Sequence, residues 1–214
     1  MAFPLDAEGV WCEVSARCNR GSPALFLDRD GVVVEEADYL HRVEDIAICP
    51  AAAAVISAAN ANAVPVVLVT NQSGIGRGYY GWAEFRAVQE AIQSAIAAEG
   101  AHFDAVYACP HHRDGQGAFA HSDHPARKPN PGMLQRAAAA LDVDMARSWL
   151  VGDHASDIEA AKRAGLAGAL HVLTGHGPGE RAAALALSGP FFDVRVAASI
   201  ADALALPLFD RAPR

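Results

Sequence analysis

The sequence predicts an α/β fold built on a doubly wound parallel sheet, as in Rossmann-like proteins. Short apolar runs of strand length alternate with longer, alanine-rich stretches of helix length along most of the chain, which is typical of consecutive βαβ units. Several polar residues directly follow the apolar runs, where open α/β sheets bind their ligands. These residues are Asp28, Asp30, Thr70 and Asp153.

The predicted elements follow one another in a regular order. Strands are predicted at 24–28, 64–69, 103–108, 148–152, 168–173 and near 191–196. Helices are predicted near 51–61 and 82–99, at 131–141 and 155–164, and as a short helix near 198–205. We interpret Asn130–Pro131 as the N-cap and first residue of the helix at 131–141, and Gly165 as the glycine that ends the helix at 155–164.

Length, charge and cysteine usage limit the classes of protein that fit. The 214 residues, 52% hydrophobic, suit one α/β domain. The net charge of −8 argues against nucleic acid or an anionic membrane as the main partner. We expect a small-molecule substrate, and we expect the protein to be a monomer. The cysteines form no CxxC pair and no disulfide framework, which indicates the cytoplasm. They are Cys12, Cys18, Cys49 and Cys109.

We expect an N-terminal extension over residues 1–23 and a single domain over 24–214. The extension carries acidic residues among isolated apolar ones and lacks the basic start and continuous apolar core of a secretory signal. The most membrane-like window, 51–69, is interrupted by two asparagines and a proline. No membrane span is therefore predicted.

The stretch 24–32 ends an apolar run in two carboxylates and a glycine. Asp28 and Asp30 are two residues apart, so in an extended chain their side chains leave the same face, and Gly31 allows a sharp turn. Two carboxylates this close repel each other unless a cation or a shared proton intervenes, which suits a divalent metal and acid–base chemistry. The alternative is a solvated turn after an ordinary strand.

Four motifs in a fixed order give this pair its context. They are Asp28-Arg29-Asp30-Gly31, Thr70-Asn71-Gln72-Ser73-Gly74, Arg127-Lys128-Pro129, and Gly152-Asp153 with Asp157. The set resembles the haloacid dehalogenase-like phosphohydrolases. More narrowly, residues 24–206 resemble the D-glycero-D-manno-heptose-1,7-bisphosphate 7-phosphatases and the related histidinol-phosphate phosphatases.

This resemblance implies a Mg²⁺-dependent phosphatase that hydrolyses a small phosphorylated metabolite, such as a sugar bisphosphate, through an aspartyl-phosphate. Asp28 would be the nucleophile, and Asp30 would protonate the leaving alcohol and then activate water. Thr70 and Lys128 would bind the phosphoryl oxygens. Mg²⁺ would be bound by Asp28, a backbone carbonyl of Asp30 and Asp153. The alternative for Asp30 is a metal-bound or merely hydrogen-bonded carboxylate.

The resemblance also implies a set of substrate contacts. They are Glu36, Tyr39, Asn71, Gln72, Ser73, Arg127 and His154. Arg127 matches the substrate-recognition arginine of the resembling family, whereas an Arg-Lys pair in a loop is otherwise ordinary surface charge. His154 stands where that family has lysine, which makes the contact shorter and changes its charge. These residues do not determine the substrate, so histidinol phosphate or another phosphomonoester is the alternative.

We predict a core without a cap domain. The intervals between the motifs are taken up by core helices and strands and by one long loop, 109–130. The site should therefore be open and bordered by residues 32–42 and 109–130. An open site gives water access to the aspartyl-phosphate, which favours hydrolysis over phosphotransfer.

The residues Gly76-Arg77-Gly78-Tyr79-Tyr80-Gly81 match a GxGxxG pattern, which could indicate a dinucleotide-binding oxidoreductase. The context argues against this distant alternative, because the first glycine does not follow a strand directly and no strand-borne acid comes at the expected distance. A catalytically inactive binding protein on the same fold is disfavoured because the predicted catalytic residues are all present.

The loop 109–130 is a second candidate metal site, since long loops in compact domains are usually functional or held in place. The resembling family binds a structural Zn²⁺ through Cys-x-His and Cys-x-Cys. Cys109 and His111 match the first pair, whereas His124 and Ala126 occupy the second. We predict a structural Zn²⁺, and the alternative is a site that has decayed. The predicted ligands are Cys109, His111, His124 and His121, with Asp123 as another candidate for the fourth position.

Overall fold

The computed structural model describes residues 2–15 and 21–209. Its strands are β1 (Trp11–Val14), β2 (Leu25–Leu27), β3 (Val66–Asn71), β4 (Ala105–Cys109), β5 (Trp149–Gly152), β6 (Gly168–Val172) and β7 (Asp193–Ala197). Its α-helices are α1 (Ala52–Ala61), α2 (Ser73–Gly76), α3 (Trp82–Ala98), α4 (Gly132–Leu141), α5 (Ala155–Ala164) and α6 (Gly177–Leu185).

The strands form one sheet in the order β1-β4-β3-β2-β5-β6-β7. Every neighbouring pair is parallel except β1 with β4, which is antiparallel. The predicted doubly wound α/β fold is therefore confirmed. Within the described ranges, the connections between the motif-bearing strands contain only helices and loops of the core, as expected for an enzyme without a cap.

Strand β2 lies at the centre of the sheet, between β3 and β5. Its three residues are fully buried, and they alternate between two cores, because successive side chains of a strand point to opposite faces. Leu25 and Leu27 pack into the core on one face, and Phe26 packs into the core on the other. This double burial fixes the register of β2, and with it the position of the residues that follow.

Most predicted elements lie within two residues of the observed ones, which is the usual uncertainty of element ends. Gly165 ends α5 with φ +79°, as predicted. The predicted capping of α4 is wrong, because Pro131 is the N-cap. The Asn130 amide donates hydrogen bonds to Asp123 and to the His124 carbonyl, so it serves the long loop. The predicted last helix is a 3-10 helix over Ile200–Ala205.

Three elements were not predicted, namely β1, α2 and α6. Strand β1 lies within the expected N-terminal extension, yet it forms the edge of the sheet through antiparallel pairing with β4. Trp11 anchors it, with ring centroids 5.6 Å from Trp82 and 5.1 Å from Phe85 of α3. Because these contacts join distant parts of the chain, the local sequence pattern does not indicate a strand here. The division at residue 23 stays a prediction about chain organisation.

The GxGxxG pattern lies between two helices, because Gly76 ends α2 and Gly81 is the N-cap of α3. A dinucleotide-binding turn would instead join a strand to a helix. A Cβ atom at Gly76 would overlap the carbonyl of Pro110, so packing explains that glycine. None of the helices in the described ranges is long and apolar enough to cross a membrane. Cys12, Cys49 and Cys109 are free thiols, and Cys18 lies outside the described residues.

Candidate active site

The ends of β2, β3 and β5 bring the predicted catalytic residues together. Asp28 follows β2, and its N–H donates to the carbonyl of Val151 in β5 at 3.0 Å. Thr70 lies near the end of β3, and Asp153 directly follows β5. All four side chains predicted to be catalytic, together with Asp153, line one cavity of about 620 Å³ at this edge of the sheet. The four are Asp28, Asp30, Thr70 and Lys128.

Lys128 connects the carboxylates of this edge. Its Nζ lies 2.7 Å from Asp28 Oδ1 and 2.6 Å from Asp157 Oδ1, and it donates to the carbonyl of Val69 at 2.9 Å. Burial alone would lower the pKa of Lys128, but the carboxylates of Asp157 and Asp28 outweigh it and raise the pKa. The ammonium therefore stays charged, with all three of its hydrogen-bond donors used.

Asn71 holds the loop that carries Lys128. Its Nδ2 donates to the carbonyl of Lys128 and its Oδ1 accepts from the N–H of Lys128, both at 3.1 Å. Because this amide bonds both backbone groups of Lys128, it fixes that residue against the end of β3. Asn71 also lines the cavity, where it was predicted to contact substrate.

Asp28, Asp153 and Asp157 form a group suited to a divalent cation. One carboxylate oxygen from each lies within 4.8 Å of the others, and no other such group occurs among the residues that the structure describes. Burial raises the pKa of Asp28 well above its usual value despite the opposing charge of Lys128, and burial followed by Asp157 raises that of Asp153. Three carboxyl groups and one ammonium thus meet at this site. An oxygen-only donor set fits Mg²⁺.

Asp157 was part of a recognised motif but was not predicted as a site residue. Both of its oxygens are bonded within the protein, Oδ1 to Lys128 at 2.6 Å and Oδ2 to the N–H of His154 at 3.0 Å. It therefore positions Lys128 from the first turn of α5. Its spacing of four residues from Asp153, at a helix start, is the sequence feature that could have identified it.

Two glycines allow the backbone to approach Asp153 closely. Gly31 and Gly175 have φ values of +77° and +52°, and a Cβ atom at either position would overlap Asp153 Oδ2. The same oxygen accepts the N–H of His176 at 2.8 Å. The carboxylate is thereby fixed facing the Asp28 loop.

Asp30 lies apart from the lysine and is held by a different set of donors. Arg29, which is buried, donates to Asp30 Oδ1 from Nη2 at 2.9 Å and from Nε at 3.1 Å. Gln72 Nε2 donates to Asp30 Oδ2 at 3.1 Å. The Asp30 side chain remains 20% exposed, so it can reach a molecule in the cavity. Arg29 was not predicted as a site residue. From the sequence alone, an arginine between two aspartates is expected to be a solvent-exposed charged side chain.

Gln72 was predicted to contact substrate, and it lines the cavity with its side-chain amide bonded within the protein. Its Nε2 donates to Asp30 and to Thr70 Oγ1, while its Oε1 accepts from the Tyr80 hydroxyl at 2.6 Å and from Arg29 Nη2 at 3.3 Å. An amide side chain has two N–H donors and two acceptor lone pairs, so none is left for a ligand.

The other predicted substrate contacts line the cavity. They are Glu36, Tyr39, Asn71, Ser73, Arg127 and His154. Arg127 Nη1 donates to the carbonyl of His111 at 3.0 Å, and burial lowers its pKa. Arg113 and His176 also line the cavity without having been predicted. Burial, followed by the charge of Asp30, raises the pKa of Glu36 to about 7.

The histidines of the loop 109–130 lie close together, although no three of the predicted zinc ligands have their donor atoms within 4.8 Å of one another in the described part of the chain. The rings of His111 and His124 stack with centroids 3.6 Å apart and planes 1° apart. His111 Nε2 lies 2.8 Å from the carbonyl of Glu8, and His124 Nδ1 accepts the N–H of Ala126 at 3.1 Å. Burial raises the pKa of the Cys109 thiol to about 12 in the protein without a metal. The structural Zn²⁺ stays a prediction.

The N-terminal segment occupies the place next to these histidines. Glu8 Oε2 lies 3.7 Å from His124 Nε2 and also pairs with Arg136 of α4. Arg136 forms a second ion pair, at 2.7 Å, with Asp6. Contacts within the chain thus hold this loop. They could not be predicted from the sequence, because the paired residues are more than a hundred positions apart.

The fold and the carboxyl-edge cluster define a phosphoric monoester hydrolase of the HAD-like class. A HAD-hydrolase-like family model matches residues 125–203. The D-glycero-beta-D-manno-heptose-1,7-bisphosphate 7-phosphatase of Mesorhizobium japonicum is 47% identical over 77% of this chain and 76% of that protein. The D-glycero-alpha-D-manno-heptose-1,7-bisphosphate 7-phosphatase of Photorhabdus laumondii is 34% identical over 79% and 92%. The chain belongs to this heptose-bisphosphate phosphatase family of HAD-like hydrolases.

Solved structures agree with this assignment. A HAD-like phosphatase from Mesorhizobium loti superposes with a TM-score of 0.87 at 39% identity, covering 100% of both chains. The D,D-heptose 1,7-bisphosphate phosphatase from B. bronchiseptica, complexed with magnesium and phosphate, has a TM-score of 0.75 at 32% identity. It covers 88% of this chain and 99% of that one.

Proposed function

We propose that this phosphatase removes the 7-phosphate of D-glycero-beta-D-manno-heptose 1,7-bisphosphate with the help of Mg²⁺. The observation that carries the proposal is the position of Lys128 Nζ, 2.7 Å from Asp28 Oδ1 at the base of the cavity. The relative that is 47% identical bears the name of this activity, and a similar structure holds magnesium and phosphate. Both support the proposal.

The residues suit a two-step displacement. Asp28 attacks the phosphorus atom, the bond from phosphorus to the leaving oxygen breaks, and Asp30 gives that oxygen its proton. Water then attacks the aspartyl-phosphate, loses a proton to Asp30 and releases phosphate. Lys128 opposes the effect of burial on the Asp28 pKa, so it favours the ionised nucleophile. Bound by Asp28, Asp153 and the Asp30 carbonyl, Mg²⁺ would neutralise charge on the phosphoryl oxygens.

A second phosphate on the substrate would find cations at the side of the cavity. Arg113 and Arg127 both line it, and the Arg127 guanidinium is held in place by the carbonyl of His111. These charges suit the 1-phosphate of a sugar bisphosphate. Glu36, Tyr39, Ser73 and His154 would contact the sugar, because they line the remainder of the same cavity. We further propose that the enzyme is monomeric and cytoplasmic. The net charge of −8 supports this, because a net charge far from zero keeps proteins soluble and monomeric.

Phosphate release tests this proposal directly. The wild type should show its highest kcat/KM with the beta anomer of the heptose bisphosphate, and lower values with the alpha anomer and with histidinol phosphate. Asp28→Asn should lose about 10³-fold or more in kcat, because the covalent nucleophile is removed. Near-normal turnover by folded Asp28→Asn protein would refute the mechanism, and a preference for histidinol phosphate would refute the substrate.

A further inference from the structure

The tyrosine at position 80 has no role in the reaction as described so far, although it lies beside the acid–base carboxyl group. It belongs to the segment 76–81, whose glycine pattern has no catalytic meaning on this fold. Its hydroxyl donates to Gln72 Oε1 at 2.6 Å. Burial raises the pKa of Tyr80, so the hydroxyl keeps the proton that it donates.

The Gln72 amide is held in one orientation by its two neighbours. Arg29 carries only donors and therefore selects the oxygen at that position, and the Tyr80 hydroxyl, which could donate or accept, donates to the same oxygen and anchors it. The amide nitrogen must then face Asp30, which accepts from it at 3.1 Å. A flipped amide would place its oxygen against the carboxylate of Asp30, which is repulsive.

The surrounding residues leave space for this tyrosine. A Cβ atom at Gly74 would overlap the Tyr80 ring, so the glycine that ends the Thr-Asn-Gln-Ser-Gly motif allows Tyr80 to reach Gln72. The ring also stacks on His41, with centroids 5.4 Å apart and planes 12° apart. Tyr80 thus lies between the loop 32–42 and the donors that hold Asp30.

We propose that Tyr80 is a positioning residue which, through Gln72, holds the Asp30 carboxyl group in the orientation required for proton transfer to the leaving alcohol. This inference rests on the proposed function, in which Asp30 is the general acid. Its consequence is selective. A substrate whose leaving group needs a proton depends on Tyr80, and a substrate whose leaving group is a weak base does not.

Tyr80→Phe tests this, because it keeps the ring on His41 and removes only the hydroxyl. We expect kcat/KM for the heptose bisphosphate to fall about tenfold, since part of the general-acid contribution is lost. With 4-nitrophenyl phosphate it should change less than about twofold, because nitrophenolate leaves without a proton. The ratio kcat/KM reports steps up to alcohol release, so the later activation of water does not enter.

Three variants complete the experiment. Tyr79→Phe is the matched control, since Tyr79 is 56% exposed and is not among the four hydrogen-bond partners of the Gln72 amide, and it should leave both values unchanged. Gln72→Met should reproduce the selective loss of Tyr80→Phe. In an Asp30→Asn background, Tyr80→Phe should cause no further loss, because its effect passes through Asp30.

Equal losses with both substrates, no loss with either, or an additive loss in the Asp30→Asn background would each overturn the inference. A wild type that releases phosphate from neither ester would overturn the proposed function itself. A wild type that is active on both, with Tyr80→Phe indistinguishable from it, would overturn the role of Tyr80 alone.

Discussion

The two regions where the sequence predicts a metal, the carboxyl edge of the sheet and the loop 109–130, are held in different ways. At the sheet edge, Asp28 and Asp153 follow adjacent parallel strands whose register is fixed by burial on both faces. In the loop, His111 and His124 lie outside any strand. Both Nε2 atoms lie near Glu8 and His124 Nδ1 accepts the N–H of Ala126, whereas the buried His111 Nδ1 has no hydrogen-bond partner in the described part of the chain. Regular structure therefore fixes the spacing of the sheet-edge carboxylates, whereas contacts between distant parts of the chain place the loop histidines.

Removal of divalent cations should separate the two regions most clearly. We expect EDTA to abolish phosphatase activity and added Mg²⁺ to restore it, because the grouped carboxylate oxygens of Asp28 and Asp153 suit a divalent cation. Mg²⁺ should also raise the Tm of the wild type, and not that of Asp153→Asn. Elemental analysis of protein purified without affinity histidines tests the zinc predicted in the loop. One zinc per chain, lost in Cys109→Ala, would support that prediction, and a zinc content near zero would refute it.

Substitution of Lys128 tests whether catalysis and stability at the sheet edge depend on the buried ammonium group. Lys128→Ala should lower kcat by about 10²-fold or more, because a charge that stabilises the transition state is lost. The free energy of unfolding should fall by about 3 kcal/mol, since two carboxylates lose their partner. Lys162→Ala is the matched control. The Lys162 ammonium is exposed and donates only to the carbonyl of Leu187, so activity should not change. A Lys128→Ala enzyme with normal kcat would disprove the role.

The difference between residues placed by buried strands and residues placed by long-range contacts explains which parts of the site could be predicted from the sequence. The apolar run 24–27 and its two aspartates were enough to place Asp28, because a strand buried on both faces has one register. The same reasoning places Asp153. Gln72 could not be placed, since a strand end does not show that Arg29 and Tyr80 take up its oxygen. The contact between Glu8 and His124 could not be predicted either, because it joins distant parts of the chain and follows no periodicity.

The smallest expected effect is a pH dependence of the free energy of unfolding that comes from the loop 109–130 and not from the sheet edge. Burial, followed by the neighbouring His111, lowers the pKa of His124 to about 4, whereas an unfolded histidine titrates near 6.5. Between these values the unfolded chain binds a proton that the native state excludes, so the free energy of unfolding falls as the pH falls. The full stability is present above about pH 6.5, and on the order of 2 kcal/mol should be lost by pH 4.

Chemical denaturation at a series of pH values between 4 and 7 would measure this contribution. The difference between wild type and His124→Gln isolates it, because carboxylates titrating in the same range contribute equally to both proteins. His102→Gln is the control, since the His102 side chain is 59% exposed, and it should keep the wild-type slope. If His124→Gln showed that slope as well, the stacked pair would not be the group that excludes the proton. A flattened slope confined to His124→Gln would show that the loop depends on a neutral imidazole, where the sheet edge depends on charge.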